Sequence, residues 1–99
     1  MITTTELKTS LIPERYYSRY LNGSWGKVTG NGWHQWNGLC PFHDDRRAGS
    51  FVINKATGAF NCFSCGSAGG DIIDFHMKAN NIGFKDAFNQ LKEVTQCGQ

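Results

Sequence analysis

The sequence has no apolar run near the roughly 20 residues that a membrane-spanning helix needs. Its N-terminus lacks a charged stretch followed by an apolar core of the secretory kind. These absences set the expectation of a cytoplasmic chain with no membrane partner. Net charge is scarce: ten Lys and Arg against eight Asp and Glu leave +2, too little to identify a partner by itself. Neither an internal repeat nor a low-complexity linker divides the chain, so residues 1–99 are read as a single domain. The zinc deaminase pattern, H-x-E with P-C-x-x-C, is missing. Asp44 and Asp45 have no third carboxylate placed to complete a catalytic metal site, and are read as a solvated loop. Cysteine is too sparse for a disulfide scaffold. Cys62 and Cys65 stand too close to staple much chain, and Cys97 is expected to be a free thiol apart from any site.

What is present is concentrated between Cys40 and Cys65. The stretch opens with Cys40-Pro41-Phe42-His43 and closes with Cys62-Phe63-Ser64-Cys65, so a C-x2-H and a C-x2-C are separated by eighteen residues. Two residues between ligands suit a tight turn that aims both side chains at one point. Three thiolates and one imidazole make a closed tetrahedral shell for one structural zinc ion, with Cys40, His43, Cys62 and Cys65 as ligands. Zinc suits such soft and borderline donors and does no redox chemistry. A filled shell leaves no position for an activated water, so this chain alone is not expected to be an enzyme. Free thiols in a metal pattern also indicate a reducing compartment. A chain this small buries a modest fraction of its surface, so a metal staple is useful to it.

The rest of the chain is arranged around that stretch. A short helix through Glu6, Leu7 and Leu11 is possible, and Pro13 can open a helix running to about Leu21. Tyr16, Tyr17, Tyr20 and Leu21 give that helix an apolar stripe, read as packing against the central ribbon. Strands are expected at about 27–29 and 32–37. In the second, Trp33, Gln35 and Asn37 face one way and His34 and Trp36 the other. A hairpin follows, Ser50–Asn54 and Ala59–Cys62 around the turn Lys55-Ala56-Thr57-Gly58, and carries the second knuckle to the first. Asp71 starts a helix whose buried side is Ile72, Ile73, Phe75, His76 and Ala79. A last helix shows Phe84, Ala87, Phe88, Leu91 and Val94 at helical spacing. The expected class is therefore α+β: a small zinc ribbon, core at about 26–70, flanked by an N-terminal helix and a two-helix C-terminal part at about 71–94.

The knuckles together with Ser50-Phe51, Phe60-Asn61-Cys62-Phe63-Ser64-Cys65-Gly66 and Gly69-Gly70-Asp71-Ile72-Ile73-Asp74-Phe75 resemble the CHC2-type zinc-binding domain of bacterial DnaG-like DNA primases. The resemblance covers roughly residues 38–94. It implies zinc on Cys40, His43, Cys62 and Cys65, and a part in recognising the single-stranded template where a primer starts. It implies that polymerisation belongs to a separate catalytic domain, to which nothing in this sequence is similar. Two features depart from the family pattern. The loop before Ser50 reads Arg47-Ala48-Gly49 where the family usually has a proline, and the strand before Cys40 is rich in Trp rather than basic.

Positive charge gathers in and before the zinc stretch, in Arg15, Arg19, Lys27, Arg46, Arg47 and Lys55. Single strands are held by phosphate pairing and by bases stacked on rings. The residues expected to contact DNA are Arg46, Arg47, Lys55 and Trp33, with Lys27 on an adjoining strand. Phe51 and Phe60 are open to either a contact or a core reading. The expected partners are single-stranded DNA and a catalytic primase, polymerase or helicase. The chain would be a module of a longer protein or a separate small subunit, the latter suited to a phage, plasmid or other mobile element. The competing reading is an adapter, whose aromatic residues dock a replication protein and which has little DNA affinity.

Overall fold

The computed structural model describes residues 3–44, 46 and 48–96; Asp45, Arg47 and Cys97, each given a reading above, lie outside the described residues. Helix α1 (Thr4–Ser10) starts on a reciprocal cap. Thr3 Oγ1 accepts from the Glu6 amide at 3.1 Å, and Glu6 Oε1 accepts from the Thr3 amide at 3.3 Å. Pro13 sits at the start of α2 (Pro13–Tyr20), where its missing N–H costs no hydrogen bond. Two helices thus precede the sheet: the one expected from Pro13, and the short one through Glu6 and Leu7 that the expected fold class leaves out. Among the described residues no helix is long and apolar enough to cross a membrane.

Five antiparallel strands follow in chain order: β1 (Ser24–Val28), β2 (Trp33–Asn37), β3 (Phe51–Asn54), β4 (Phe60–Cys62) and β5 (Ala68–Gly69). Strand β1 begins three residues before its expected start, and the two-residue β5 was not anticipated. Asn54 closes the β3–β4 turn, its Oδ1 accepting from the amides of Ala56 at 2.9 Å and Thr57 at 3.0 Å. β5 can lie flat on β4 because Gly69 lacks a side chain: a Cβ there would stand 2.5 Å from Phe60 Cε1.

The register sorts the sheet into two faces. His34 pairs Ile53, Ile53 pairs Phe60 and Phe51 pairs Cys62, so these residues share one face. That face meets the helices in a core that includes Leu7, Tyr17, Trp36, Phe51, Ile53, Phe60, Ile73, Phe75 and Leu91. Trp33 pairs Asn54, Gln35 pairs Val52 and Val52 pairs Asn61, which puts them on the other face. No helix covers that second face among the described residues.

Helix α3 (Ile72–Asn80) is capped by Asp71, whose Oδ1 accepts from the Asp74 amide at 2.9 Å while Oδ2 meets Lys8 Nζ at 2.9 Å. Asn81 ends it in the left-handed region at φ 53°, and α4 (Phe84–Gln96) packs back across α3 and α1. The Asp71 carboxylate raises the Lys8 pKa through its hydrogen bond first and its charge second. Replacing Asp71 with Ala is expected to lower stability by about 1–2 kcal/mol, mostly through the lost cap. Lys8→Ala removes only an exposed ion pair and is expected to cost about 0–1 kcal/mol. Urea titration of both variants checks this, and equal losses would contradict it.

Candidate metal centre and the open sheet face

The loop after β2 delivers the first knuckle, and the end of β4 delivers the second. The ligand atoms of Cys40, His43, Cys62 and Cys65 all lie within 4.8 Å of one another. Cys40 Sγ stands 3.9 Å from Cys65 Sγ, and Cys62 Sγ stands 3.9 Å from His43 Nδ1. Zinc–sulfur bonds of about 2.3 Å in a tetrahedron put two sulfurs about 3.8 Å apart. The spacing and the donor set, three sulfurs with one imidazole nitrogen and no carboxylate, both fit one structural zinc. Cys40 and Cys62 are buried and Cys65 is exposed, so the ion would sit at the edge of the core.

Groups around the shell prepare the sulfurs. The Phe42 amide donates to Cys40 Sγ at 3.4 Å. Ser50 Oγ lies 3.7 Å from Cys62 Sγ and Ser67 Oγ lies 3.3 Å from Cys65 Sγ, each able to donate once the sulfur is a thiolate. Hydrogen bonding from Ser67, its hydroxyl before its amide, holds the Cys65 thiol down to about 6. Burial pushes the Cys40 thiol up to about 12. Cys40 therefore keeps its proton until a metal displaces it.

The other imidazoles have structural roles. His76 is 7% exposed; its Nδ1 meets Tyr16 Oη and its Nε2 meets Gln90 Oε1, each at 2.7 Å. Burial raises the Tyr16 pKa, so the phenol stays neutral and can donate to Nδ1. His34 Nδ1 lies 3.3 Å from the Gly26 carbonyl, and the ring meets Trp25 edge-on. Neither joins the metal group.

Among the described residues, those expected to contact DNA do not form one cluster. Phe51 and Phe60 are 0% and 1% exposed. Their alternation with Val52 and Asn61 turns both rings toward the helices, so the core reading holds and neither can take a base. Lys55 lies on the helix side, with Nζ 3.8 Å from Glu14 Oε2 and 5.0 Å from the centre of the Trp25 ring. Arg46 is exposed in the β2–β3 loop. Trp33 is half-buried on the open face. Lys27 is exposed on the edge strand β1, inside the irregular stretch between Trp25 and Val28 where the register with β2 shifts. Phe63 was missed. It is 73% exposed and lines a hollow with Trp33, Val52 and Asn61. Its signal was its place next to Cys62: a ligand that faces the core turns its neighbour to solvent.

Comparison with known proteins matches the same region. The family model described as CHC2 zinc finger matches residues 27–98. DNA primase of Lactococcus lactis is 43% identical over 56 residues, 57% of this chain and 8% of that protein. DNA primase of Mycobacterium leprae is 33% identical over 82 residues, 83% of this chain and 12% of that protein. The crystal structure of the Aquifex aeolicus primase, comprising its zinc-binding and RNA polymerase domains, superposes with a TM-score of 0.72 at 29% identity. That superposition covers 93% of this chain and 21% of the other. The chain thus spans only 8% and 12% of these two curated relatives.

Proposed function

The chain belongs to the CHC2 zinc finger family, and we propose that it serves a primase system as the zinc module that recognises the single-stranded DNA template. The observation that carries this reading is the open sheet face beside the zinc knuckles. It offers the Trp33 ring, the exposed Lys27 lies on the edge strand β1, and among the described strand residues of that face none is acidic. Rings for stacking combined with cations for phosphate are what hold single strands. Polymerisation would belong to a separate catalytic primase or polymerase domain or chain, with a helicase as a further partner. In this reading residues 26–70 form the reading head, residues 71–94 support it, and a reducing cytoplasm keeps its thiols available.

Fluorescence anisotropy of the zinc-loaded chain with short single-stranded and duplex DNA, at low and physiological salt, tests the proposal. Binding is expected to favour the single strand and to weaken as salt rises. Joint replacement of Arg46 and Arg47 by Ala is expected to weaken binding and flatten the salt slope by about 0.7 for each phosphate no longer neutralised. Absence of binding at low salt would overturn the reading. A second reading, the adapter, has its own support in α4. Phe84 is 47% exposed there, with its ring centre 5.9 Å from that of Phe88, an apolar pair suited to a protein partner. Salt-insensitive capture of a replication protein without DNA affinity would favour it.

A further inference from the structure

We infer that Trp33, Asn61 and Phe63 form a seat for one nucleobase, in which the two rings enclose the base and the Asn61 amide reads its edge. The inference rests on the template-recognition reading above and names the site at which it would act. The hollow that these residues line holds about 240 Å³ and is open to solvent, with Thr29 and Gly30 on its rim and Val52 on its floor. Its two aromatic side chains come from different elements, the start of β2 and the second zinc knuckle. Val52, only 5% exposed, supplies an apolar floor.

The polar groups point to a base rather than to an apolar peptide. Four amide side chains lie on the open face, and three are engaged with protein. Gln35 Nε2 donates to the Gly49 carbonyl at 3.1 Å, Asn54 Nδ2 to the Asn31 carbonyl at 3.2 Å and Asn37 Nδ2 to Ser24 Oγ at 3.5 Å. Asn61 is different. Its register neighbours are Val52 and Ala68, neither of which has a polar side chain. Among the described residues its amide has no hydrogen-bond partner, and the Trp33 indole N–H has none either. A half-buried amide left free between two rings offers a donor beside an acceptor, the arrangement with which Asn reads a base edge. The exposed Lys27 on the neighbouring strand β1 would supply a cation for the backbone phosphates.

The seat also gives the second knuckle two roles. Cys62 and Cys65 hold the metal, and the turn between them carries Phe63. Zinc therefore sets the position of one wall of the seat, while β2 sets the other.

The test uses the zinc-loaded chain and a short single-stranded DNA in which each nucleotide in turn is replaced by an abasic one. Stacking contacts of this kind typically change affinity by roughly tenfold. Affinity is expected to fall about that much at one position and little elsewhere. Phe63→Ala, at an exposed site, is expected to lose about tenfold on intact DNA and almost nothing further on the DNA abasic at that position. Trp33→Phe should bind with less quenching of intrinsic fluorescence, because Trp36 is buried and Trp25 lies on the helix side. Asn61→Ala should shrink the differences in affinity among oligo-dA, oligo-dC and oligo-dT. Zinc content and circular dichroism confirm that each variant is folded. If the parent chain binds DNA but the abasic scan is flat, or Phe63→Ala weakens intact and abasic DNA alike, the seat is wrong and the template reading stands. If Asn61→Ala leaves base preference unchanged, the reading role of the amide is wrong. If the parent chain binds no single strand at low salt, both the seat and the template reading fall.

Discussion

Chelation of the zinc is expected to unfold the sheet and its helical support together, and Cys62→Ala is expected to do the same without a chelator. Structural zinc contributes about 10–16 kcal/mol of apparent binding free energy in finger peptides. Small domains have net stabilities of about 5–15 kcal/mol, so the metal term is comparable to the whole. The structure explains why the loss would spread. Cys62 is 0% exposed, belongs to β4 and pairs Phe51, while Cys40 is 3% exposed and belongs to the same core as Tyr17 and Phe75. Without the ion, the knuckle after β2 is no longer tied to the end of β4. Three sulfurs within 4.8 Å of one another would then be left with no common partner. Binding must displace the Cys40 proton, so zinc retention should weaken as pH falls. Far-ultraviolet circular dichroism and thermal midpoint, measured before and after EDTA with zinc content assayed alongside, check the expectation. A chain shown to be metal-free with an unchanged spectrum and midpoint would refute it.

What could be read from the sequence was local. Knuckle spacing is a property of two short turns, and the hairpin of β3 and β4 follows from alternation on either side of a glycine-containing turn. The helix after Asp71 has its cap and its apolar side within nine residues. Phe51 and Phe60 were undecided because alternation says that two residues share a face without saying which face the helices cover. Lys55 follows from the same limit: a basic residue in a hairpin turn can lean either way, and here Trp25 and Glu14 draw it to the helix side. Helix α1 has Leu7 as its one buried residue, so periodicity was weak, although the Thr3 and Glu6 cap was present in the sequence. Phe63 sits between two metal ligands, where spacing marks the ligands and says nothing about the exposure of the residue between them. The two-residue β5 has no hydrophobic pattern at all; it forms because Gly69 lets the chain lie against Phe60.

The second large effect is expected from Phe75→Ala, which removes the ring on which the two halves of the protein meet. Phe75 is 0% exposed. Its ring centre lies 4.8 Å from Tyr17, 5.5 Å from Tyr20 and 5.9 Å from Tyr16, all close to edge-on. On its other side it meets Phe42 and Phe60, each at 5.3 Å. One side chain on α3 therefore holds α2 against the sheet and supports Phe42, the residue preceding the ligand His43. Truncating a buried Phe to Ala costs about 3–5 kcal/mol, from lost transfer energy and the cavity left behind. Edge-to-face pairs add about 0.5–1.5 kcal/mol each beyond their area, so the upper part of that range is expected. Because Phe42 also stacks on Phe60 at 5.4 Å, its backbone has a second support, and the zinc site should persist in the folded fraction. Phe75→Leu keeps most of the volume and should lose clearly less. Urea unfolding of the zinc-loaded variants gives the stability change, and competition with a chromophoric chelator gives zinc affinity. A loss below about 1 kcal/mol for Phe75→Ala would mean that the tyrosines of α2 close over the gap, and that this ring does not join the helices to the metal-bearing sheet.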